Sequence, residues 1–269
     1  MGTIPHRTER RKMEMSLGKK LVVLFITFIL ALAPLNGVLA EDFTAQTMRL
    51  LHYEGEVEIL DASGKSRFVM ENARFKSGES MRTGENSVAS ISLDATKIVT
   101  MDQLSVVEFV KQGSHLQLTI KEGTLLLDVQ EKLDENESLD VQTSTMTVGI
   151  RGTVIAVTVT EIDGVRICKI TVLEGVTRLS YTDENGNEQS AELSAGHTAV
   201  FTDLDDDGLV DFLPEIRETE QADTEGFVDG QIQQDPQLLV RIEQAQGQGN
   251  SGNEGNQSVG SPVAAPTTE

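Results

Sequence analysis

One short acidic loop has the residue types and spacing best suited to chemistry in this sequence. It runs Asp203-Leu204-Asp205-Asp206-Asp207-Gly208-Leu209-Val210-Asp211, with aspartates at loop positions 1, 3, 5 and 9 and glycine at position 6. Ca²⁺ takes six to eight oxygen ligands, and carboxylates at this spacing can wrap a tight turn around one ion. The sequence therefore predicts a Ca²⁺ site. Its predicted ligands are the carboxylates of Asp203, Asp205, Asp207 and Asp211 and the carbonyl oxygen of Leu209.

Two other interpretations of this loop bear on that prediction. An EF-hand needs a bidentate glutamate at position 12, but Pro214 stands there and Glu215 comes one residue late. The loop resembles the calcium loops of thrombospondin type 3-like repeats, which usually occur in tandem, whereas this chain has one copy. The alternative is a solvated acidic turn without an ion. Ca²⁺ is thus the one cofactor that the sequence suggests, and none is required.

The remaining chemistry-bearing residues do not form a catalytic pattern. Neither a G-x-S-x-G nucleophile elbow nor a phosphate-binding P-loop occurs in the sequence. The four histidines (His6, His52, His115 and His197) have no metal-ligand spacing. Tryptophan is absent and aromatic residues make up 4% of the chain, so stacking platforms for sugars or bases are scarce. We expect no enzyme; a polysaccharide hydrolase using an acidic pair is the less favoured alternative.

The net charge limits the kinds of partner that this chain can bind, and the cysteine content limits how its fold can be stabilised. The formal net charge is -21, which repels nucleic acids and anionic lipid headgroups. We therefore expect no nucleic-acid partner. Cys168 is the only cysteine, so an internal disulfide cannot form and the fold must depend on its core.

The N-terminal 40 residues have the pattern of a secretory signal peptide. Basic residues between Arg7 and Lys20 precede an apolar run from Leu21 to Ala33, and Val38-Leu39-Ala40 stands before the acidic Glu41. The run is short for a spanning helix, which needs about 20 apolar residues. We predict cleavage after residue 40 and an extracytoplasmic mature chain. An uncleaved membrane anchor is the alternative.

The central part of the chain, residues 49–202, is predicted to be an all-β domain. Short runs alternate apolar and polar residues, and glycine or aspartate interrupts them at close intervals. Many short, mostly antiparallel strands favour a solenoid-like roll or a sandwich. A weak recurrence, Lys121 to Leu125 against Leu173 to Thr177, places a glycine at the start of each strand and suggests stacked turns of chain.

The most specific local prediction is a hairpin with Asp163-Gly164 as a two-residue turn. That turn fixes the register, so Val159 should face Cys168 and Val157 should face Ile170. All of these residues are apolar and share one face, which predicts a buried, unreactive Cys168. A second reverse turn is predicted at Asn185-Gly186.

Composition divides the C-terminal region into two parts. Residues 203–246 are predicted to be an acidic linker that contains the calcium loop and a short helix from Asp235 to Ala245, with Asp235 as its cap. Residues 247–269 are rich in glycine, asparagine, glutamine, serine and proline, and are predicted to be a disordered tail.

Several motifs between about residues 55 and 204 resemble those of the FecR domain. Gly78 to Ala89 is similar to the family's G-x-x-L-x-T-G-x-x-S-x-A, and Val148-Gly149-Ile150-Arg151-Gly152-Thr153 is similar to its V-G-V-R-G-T signature. The later Val172 to Val176 and Leu193 to His197 resemble its closing elements. The sequence departs from the family at Ala95, Ser144 and His197.

The resemblance implies a non-enzymatic extracytoplasmic domain that binds or receives a signal. The best-known members receive a signal from an outer-membrane siderophore receptor and pass it to a sigma factor through a cytoplasmic N-terminal part. About twenty residues precede the apolar run here, so we expect that part to be missing. Protein and cell-envelope polysaccharide partners both stay open, as does a calcium-stabilised extracellular structural or adhesion protein. Of the signature residues Gly149, Arg151, Gly152 and Thr153, we expect the glycines to allow close packing and Arg151 to pair with a carboxylate.

Overall fold

The computed structural model describes residues 47–249, which form seventeen strands and three helices. The predicted signal peptide and residues 250–269 of the predicted tail lie outside the described residues. The strands are β1 (Thr47–Glu54), β2 (Val57–Leu60), β3 (Ser66–Phe68), β4 (Arg74–Lys76), β5 (Glu79–Thr83), β6 (Val88–Ser92), β7 (Lys97–Met101), β8 (Val106–Gln112), β9 (His115–Val129), β10 (Ser138–Gln142), β11 (Met146–Ile150), β12 (Val154–Ile162), β13 (Val165–Glu174), β14 (Val176–Thr182), β15 (Glu188–Ser194), β16 (His197–Asp203) and β17 (Glu215–Glu218). The helices are α1 (Gln221–Thr224), α2 (Phe227–Gln234) and α3 (Pro236–Gly249).

The strands pair into two sheets that share the long strand β9. Sheet A has the order β4-β1-β6-β7-β9-β12-β13-β16-β17. Sheet B has the order β3-β2-β5-β8-β9-β10-β11-β14-β15. The first half of β9 lies in sheet B and its second half in sheet A. Every neighbouring pair is antiparallel except β9 with β10, which confirms the predicted all-β class with mostly antiparallel strands.

The core lies between the two sheets because alternate residues of each strand point inward. On β16, for example, Ala199 and Phe201 are almost fully buried, whereas Val200 between them is more exposed. Aromatic contacts join the sheets at two places. The rings of Phe75 and Phe109 lie 5.1 Å apart, and those of Tyr181 and Phe201 lie 5.2 Å apart. These edge-to-face contacts stabilise the packing of sheet A on sheet B.

The chain moves repeatedly from one sheet to the other, which gives the domain the character of a roll. Six of these corners contain a glycine with positive φ: Gly55, Gly78, Gly123, Gly152, Gly175 and Gly196. The recurrence of Lys121 to Leu125 in Leu173 to Thr177 therefore corresponds to a structural feature, since Gly123 and Gly175 both lie where the chain changes sheet.

The predicted β12–β13 hairpin is confirmed residue by residue. Val159 is paired with Cys168 and Val157 with Ile170. Asp163 and Gly164 have φ values of 54° and 82°, as the predicted two-residue turn requires. The β14–β15 hairpin also turns at Asn185-Gly186, as expected. Its loop is longer than a two-residue turn, since the last hydrogen bond between its arms runs from the backbone N–H of Asp183 to the Asn187 carbonyl.

The C-terminal region differs from the predicted linker and tail. Residues 203–246 include the end of β16, strand β17 and three helices, and α3 continues to Gly249 into the segment predicted to be disordered. As predicted, Asp235 caps α3 by accepting the backbone N–H groups of Gln237 and Leu238. The helices cover the outer face of sheet A through a second apolar cluster. Its buried members are Leu126, Val154, Ala156, Leu173, Val228, Ile232, Leu238 and Ile242.

Ion pairs hold these C-terminal elements to the sheet. Arg241 on α3 contacts Asp128 on β9, and its Nε lies 3.3 Å from Glu174 Oε2 on β13. Arg217 on β17 makes a bidentate pair with Asp223 on α1, which Lys169 on β13 also approaches. Within residues 47–249, no helix has both the length and the apolar content that crossing a membrane would require.

Candidate functional site

The predicted calcium loop begins at the last residue of β16. Asp203 lies two positions after Phe201 and four after Ala199, so its side chain points toward the core face of sheet A. It is 0% exposed. Its Oδ2 accepts the backbone N–H of Gly208 at 3.0 Å, but its buried Oδ1 has no hydrogen-bond partner among residues 47–249. A carboxylate oxygen is thus held at the end of the core without a compensating group.

Three of the five predicted ligands are brought together by the fold. Carboxylate oxygens of Asp203, Asp205 and Asp211 lie within 4.8 Å of one another. Asp207 is not part of this group, and one of its carboxylate oxygens instead accepts the backbone N–H of Leu209 at 2.8 Å. The carbonyl oxygen of Leu209 stays a prediction as a ligand.

The electrostatics of the loop reflect this crowding of negative charge. The pKa of Asp205 is raised, chiefly by the charge of Asp207 and then by partial desolvation and the charges of Asp211 and Asp203. The only aspartate of the loop with a cationic partner in the described part of the chain is Asp206. Its Oδ1 lies 2.7 Å from Arg166 Nε. Within the described residues, Asp203, Asp205 and Asp211 therefore form no ion pair, although Arg166 lies opposite Asp203 in the register of β13 and β16.

The acidic loop touches three neighbouring hairpins. Val210 donates its backbone N–H to the Thr182 carbonyl and forms a bridge with Asp183 at the tip of the β14–β15 hairpin. The α-carbon of Gly208 packs so close to the turn between β10 and β11 that an added Cβ would lie 3.1 Å from the Ser144 carbonyl oxygen. Asp206 reaches Arg166 at the start of β13. Any ligand that fixes the conformation of this loop would therefore also stabilise its contacts with these three hairpins.

The predicted signature residues lie at the corner between β11 and β12. Gly152 has a φ of 113°, and a Cβ there would lie 2.9 Å from the α-carbon of Lys132. Thr153 is 1% exposed. Gly149 lies between Asp140 and Arg178 on neighbouring strands, where an added Cβ would still meet ordinary contacts at 3.7 Å. Gly152 thus allows close packing, as expected, whereas the surroundings of Gly149 do not require a glycine.

Arg151 does not behave as predicted. It is exposed, and the described part of the chain contains no ion pair or hydrogen bond of its guanidinium group. The expected pairing with a carboxylate was wrong: the side chain is exposed, and water can solvate its charge. The nearby Asp140 is partly buried, and this burial raises its pKa.

A free sheet edge is the feature that sequence reasoning did not locate. The outer strands of the two sheets are β4 and β17 in sheet A and β3 and β15 in sheet B. β15, with seven residues, is the longest of these, against three or four residues for the others. Among the described residues it pairs with β14 alone. Edge position depends on the order of strands across the sheet, which no local pattern in the sequence reveals.

The direction of the free backbone groups on β15 follows from hydrogen bonds at its two ends. Asp183 N–H donates to the Asn187 carbonyl, and Ala195 N–H donates to the Gly175 carbonyl. Because hydrogen-bonded pairs alternate along an antiparallel ladder, Gln189, Ala191 and Leu193 bond to β14. The backbone groups of Glu188, Ser190, Glu192 and Ser194 then point away from the sheet.

A polar groove runs along this end of sheet B, between the β10–β11 turn and the β14–β15 hairpin. Serine, threonine and glutamine side chains line it, and Gly208 of the acidic loop forms part of its wall. The groove and the start of the β15 edge are continuous, since Gln189 and Ser190 belong to both. This surface can donate and accept hydrogen bonds, and Glu188 adds a carboxylate to it.

Comparisons with known proteins give a family match and matches to solved structures. Residues 79–178 match the family model described as FecR protein. Two crystal structures of a candidate anti-sigma factor from Parabacteroides distasonis match with a TM-score of 0.42 and 12% sequence identity. Each match covers 53% of this chain and 62% of that protein, so the chain spans less than two thirds of that protein's length. No match was found among curated proteins.

Proposed function

We propose that this chain, in which residues 79–178 form a FecR domain, is a non-enzymatic protein-binding module that works outside the cytoplasm. The family match carries this proposal, because FecR domains are regulatory modules that act through other proteins. The extracytoplasmic location is supported by the signal-peptide pattern of residues 1–40. A polysaccharide partner gains no support from the family match, and hydrolysis is not proposed.

The binding surface of the module is the free edge of β15. An extended segment of a partner can add to an exposed sheet edge and use backbone hydrogen bonds for affinity. Proteins usually protect such edges with short strands, charged side chains, proline, β-bulges or a covering element. Of these devices, β15 has charged side chains, at Glu188 and Glu192. β15 is seven residues long and contains no proline, and helices α1 to α3 pack on the other sheet. The edge therefore has the features of a docking strand.

The charge of the edge points to the chemistry of the partner segment. Glu188 and Glu192 are exposed on β15, and Arg178 on β14 lies 3.6 Å from Glu192. The chain as a whole carries a net charge of -21. A basic, extended protein segment would therefore be attracted to this edge, and complementary charge would increase its association rate.

A proline substitution tests this surface. Ser190→Pro removes an outward N–H without breaking a hydrogen bond to β14, and proline is tolerated on edge strands. The purified mature chain, Ser190→Pro and Ser190→Ala would each be used to capture proteins from the native envelope, after melting curves show that all three fold. We expect one protein to be retained by the wild type and Ser190→Ala and reduced about tenfold with Ser190→Pro.

Two results would contradict the proposed surface. The first is capture that is equal for all three chains, or absent from all three. The second is a wild-type dimer that light scattering shows to dissociate in Ser190→Pro, since the edge would then be occupied by a second copy of the chain.

A further inference from the structure

The buried carboxylate of Asp203 is an energetic problem that the described residues do not solve. Its Oδ1 is buried without a hydrogen-bond partner, and no ion pair within the described residues involves this side chain. Burying a charged group is costly unless a counter-charge or a metal compensates it. The fold nevertheless buries this side chain and places one of its carboxylate oxygens within 4.8 Å of carboxylate oxygens of Asp205 and Asp211. A bound cation would resolve the conflict.

The spacing of the three carboxylates fits one metal ion. Two oxygens bound to the same Ca²⁺ can be separated by at most about twice the metal–oxygen distance of roughly 2.4 Å, or about 4.8 Å. Oxygens of Asp203, Asp205 and Asp211 meet this limit. Asp205 is exposed and Asp211 half-buried, so the cluster is open to solvent on one side and leaves room for water ligands.

The donor set selects the kind of metal. All of the converging atoms are carboxylate oxygens, which suit hard cations, whereas zinc sites use cysteine and histidine. Mg²⁺ requires near-ideal octahedral geometry at shorter distances, but Ca²⁺ accepts irregular sets of six to eight oxygens. We propose that Asp203, Asp205 and Asp211 bind one Ca²⁺ ion at the end of the roll.

Occupation of this site would tie the acidic loop to the rest of the domain. Asp203 belongs to β16, whereas Asp211 lies beyond the turn and donates its backbone N–H to the Thr202 carbonyl. The ion would close this turn. Val210 and Gly208 would then be held against the β14–β15 and β10–β11 hairpins, which they already contact. Ca²⁺ therefore stabilises the end of the roll that borders the polar groove.

The test uses the purified mature chain with Ca²⁺, Mg²⁺ or EDTA. Asp205→Asn removes a proposed ligand at an exposed position, and Asp207→Asn makes the same change in charge at a loop position outside the converging group. We expect calorimetry to detect one Ca²⁺ per chain with a millimolar or tighter Kd, and a melting temperature several degrees higher in Ca²⁺ than in EDTA. Asp205→Asn should weaken binding about tenfold or more, and Asp207→Asn by less than about threefold.

Three outcomes would overturn the proposal. One is a wild-type chain that shows neither Ca²⁺ binding nor a Ca²⁺-dependent melting temperature. Another is equal loss of binding in Asp205→Asn and Asp207→Asn, which would indicate a diffuse acidic surface rather than a site. The third is a wild-type response to Mg²⁺ as large as that to Ca²⁺, which would refute the assignment of the metal. These results are independent of whether β15 binds a protein.

Discussion

Gly175 packs directly against Gly152, so closely that a Cβ on Gly175 would lie 2.8 Å from the Gly152 carbonyl oxygen. The two glycines lie at successive corners, one where the chain passes from sheet B to sheet A and the other where it returns. Contact between backbones at this distance leaves no room for a side chain. The contact between these corners therefore fixes the spacing of the strands that they join, within the residues that match the FecR family model.

Substitution of Gly175 should expose this constraint. Gly175→Ala places a side chain at a φ of 83° and also drives it into Gly152, whereas Gly196 has a φ of 79° with open space around it. Positive φ alone costs about 1–2 kcal/mol. We expect Gly196→Ala to lower the free energy of unfolding by about that amount and Gly175→Ala by about 1–3 kcal/mol more, measured by urea denaturation. Equal losses would show that the corner can relax.

The ion pair between Arg217 and Asp223 should make stability depend on pH. Hydrogen bonds from Arg217, at 2.6 and 2.9 Å, are the main cause that lowers the pKa of the buried Asp223. Because this pKa is lower in the folded chain than in the unfolded chain, the stabilisation is complete above about pH 4 and declines as the pH falls toward the folded value.

Asp223→Asn is the variant that checks this dependence. Denaturation at pH 7 should show a loss of about 3 kcal/mol, because Arg217 and Lys169 lose their buried partner. The difference from the wild type should shrink as the pH is lowered below about 4. A difference that stays constant down to pH 2 would assign the loss to packing rather than to charge.

Cys168 should be unreactive until the chain unfolds. It is buried on β13, and this burial raises the pKa of its thiol, so little thiolate is present at neutral pH. Labelling with a thiol reagent such as Ellman's should be slow in buffer and rapid in denaturant. Labelling of the native chain at the rate of a free thiol would contradict the burial of this strand.

Processing of the N-terminus gives a separate test of location. The leader pattern predicts that material exported from the native cell begins at Glu41 or within a few residues of it. N-terminal sequencing measures this directly. Exported or membrane-bound material that begins at Met1 would instead identify an uncleaved anchor.

Local patterns predicted the hairpins of this fold well but did not predict what covers its sheets. The β12–β13 register followed from Asp163-Gly164 and alternating apolar residues, because turn geometry and burial agreed. Leu126 shows the limit of such patterns. It points away from the main core yet is 3% exposed, because α2 and α3 cover that face. The helix from Asp235 to Ala245 was predicted, but its packing on sheet A depends on contacts far along the chain, such as Arg241 with Asp128. The acidic composition of the residues before it suggested a linker.

For the candidate sites, too, the sequence predicted local features but not those that depend on the whole fold. Spacing alone located Asp203, Asp205 and Asp211, because a loop of nine residues is a local structure. It could not reveal that Asp203 is buried, which depends on its direction within β16. Nor could spacing distinguish Asp207 from the three converging aspartates; its carboxylate instead accepts the backbone N–H of Leu209. The β15 edge depends on the order of strands across sheet B, and this order is a property of the whole fold.

The central claim is that β15 receives a protein partner, and photo-crosslinking in the native cell tests it most directly. A photoreactive amino acid would replace exposed Glu192 on β15 or, as a control, exposed Lys65 in the turn between β2 and β3. We predict a protein adduct from position 192 that is absent from position 65 and is lost when Ser190→Pro is added. An adduct at position 192 that persists with Ser190→Pro, or adducts from position 65 alone, would contradict strand addition at β15.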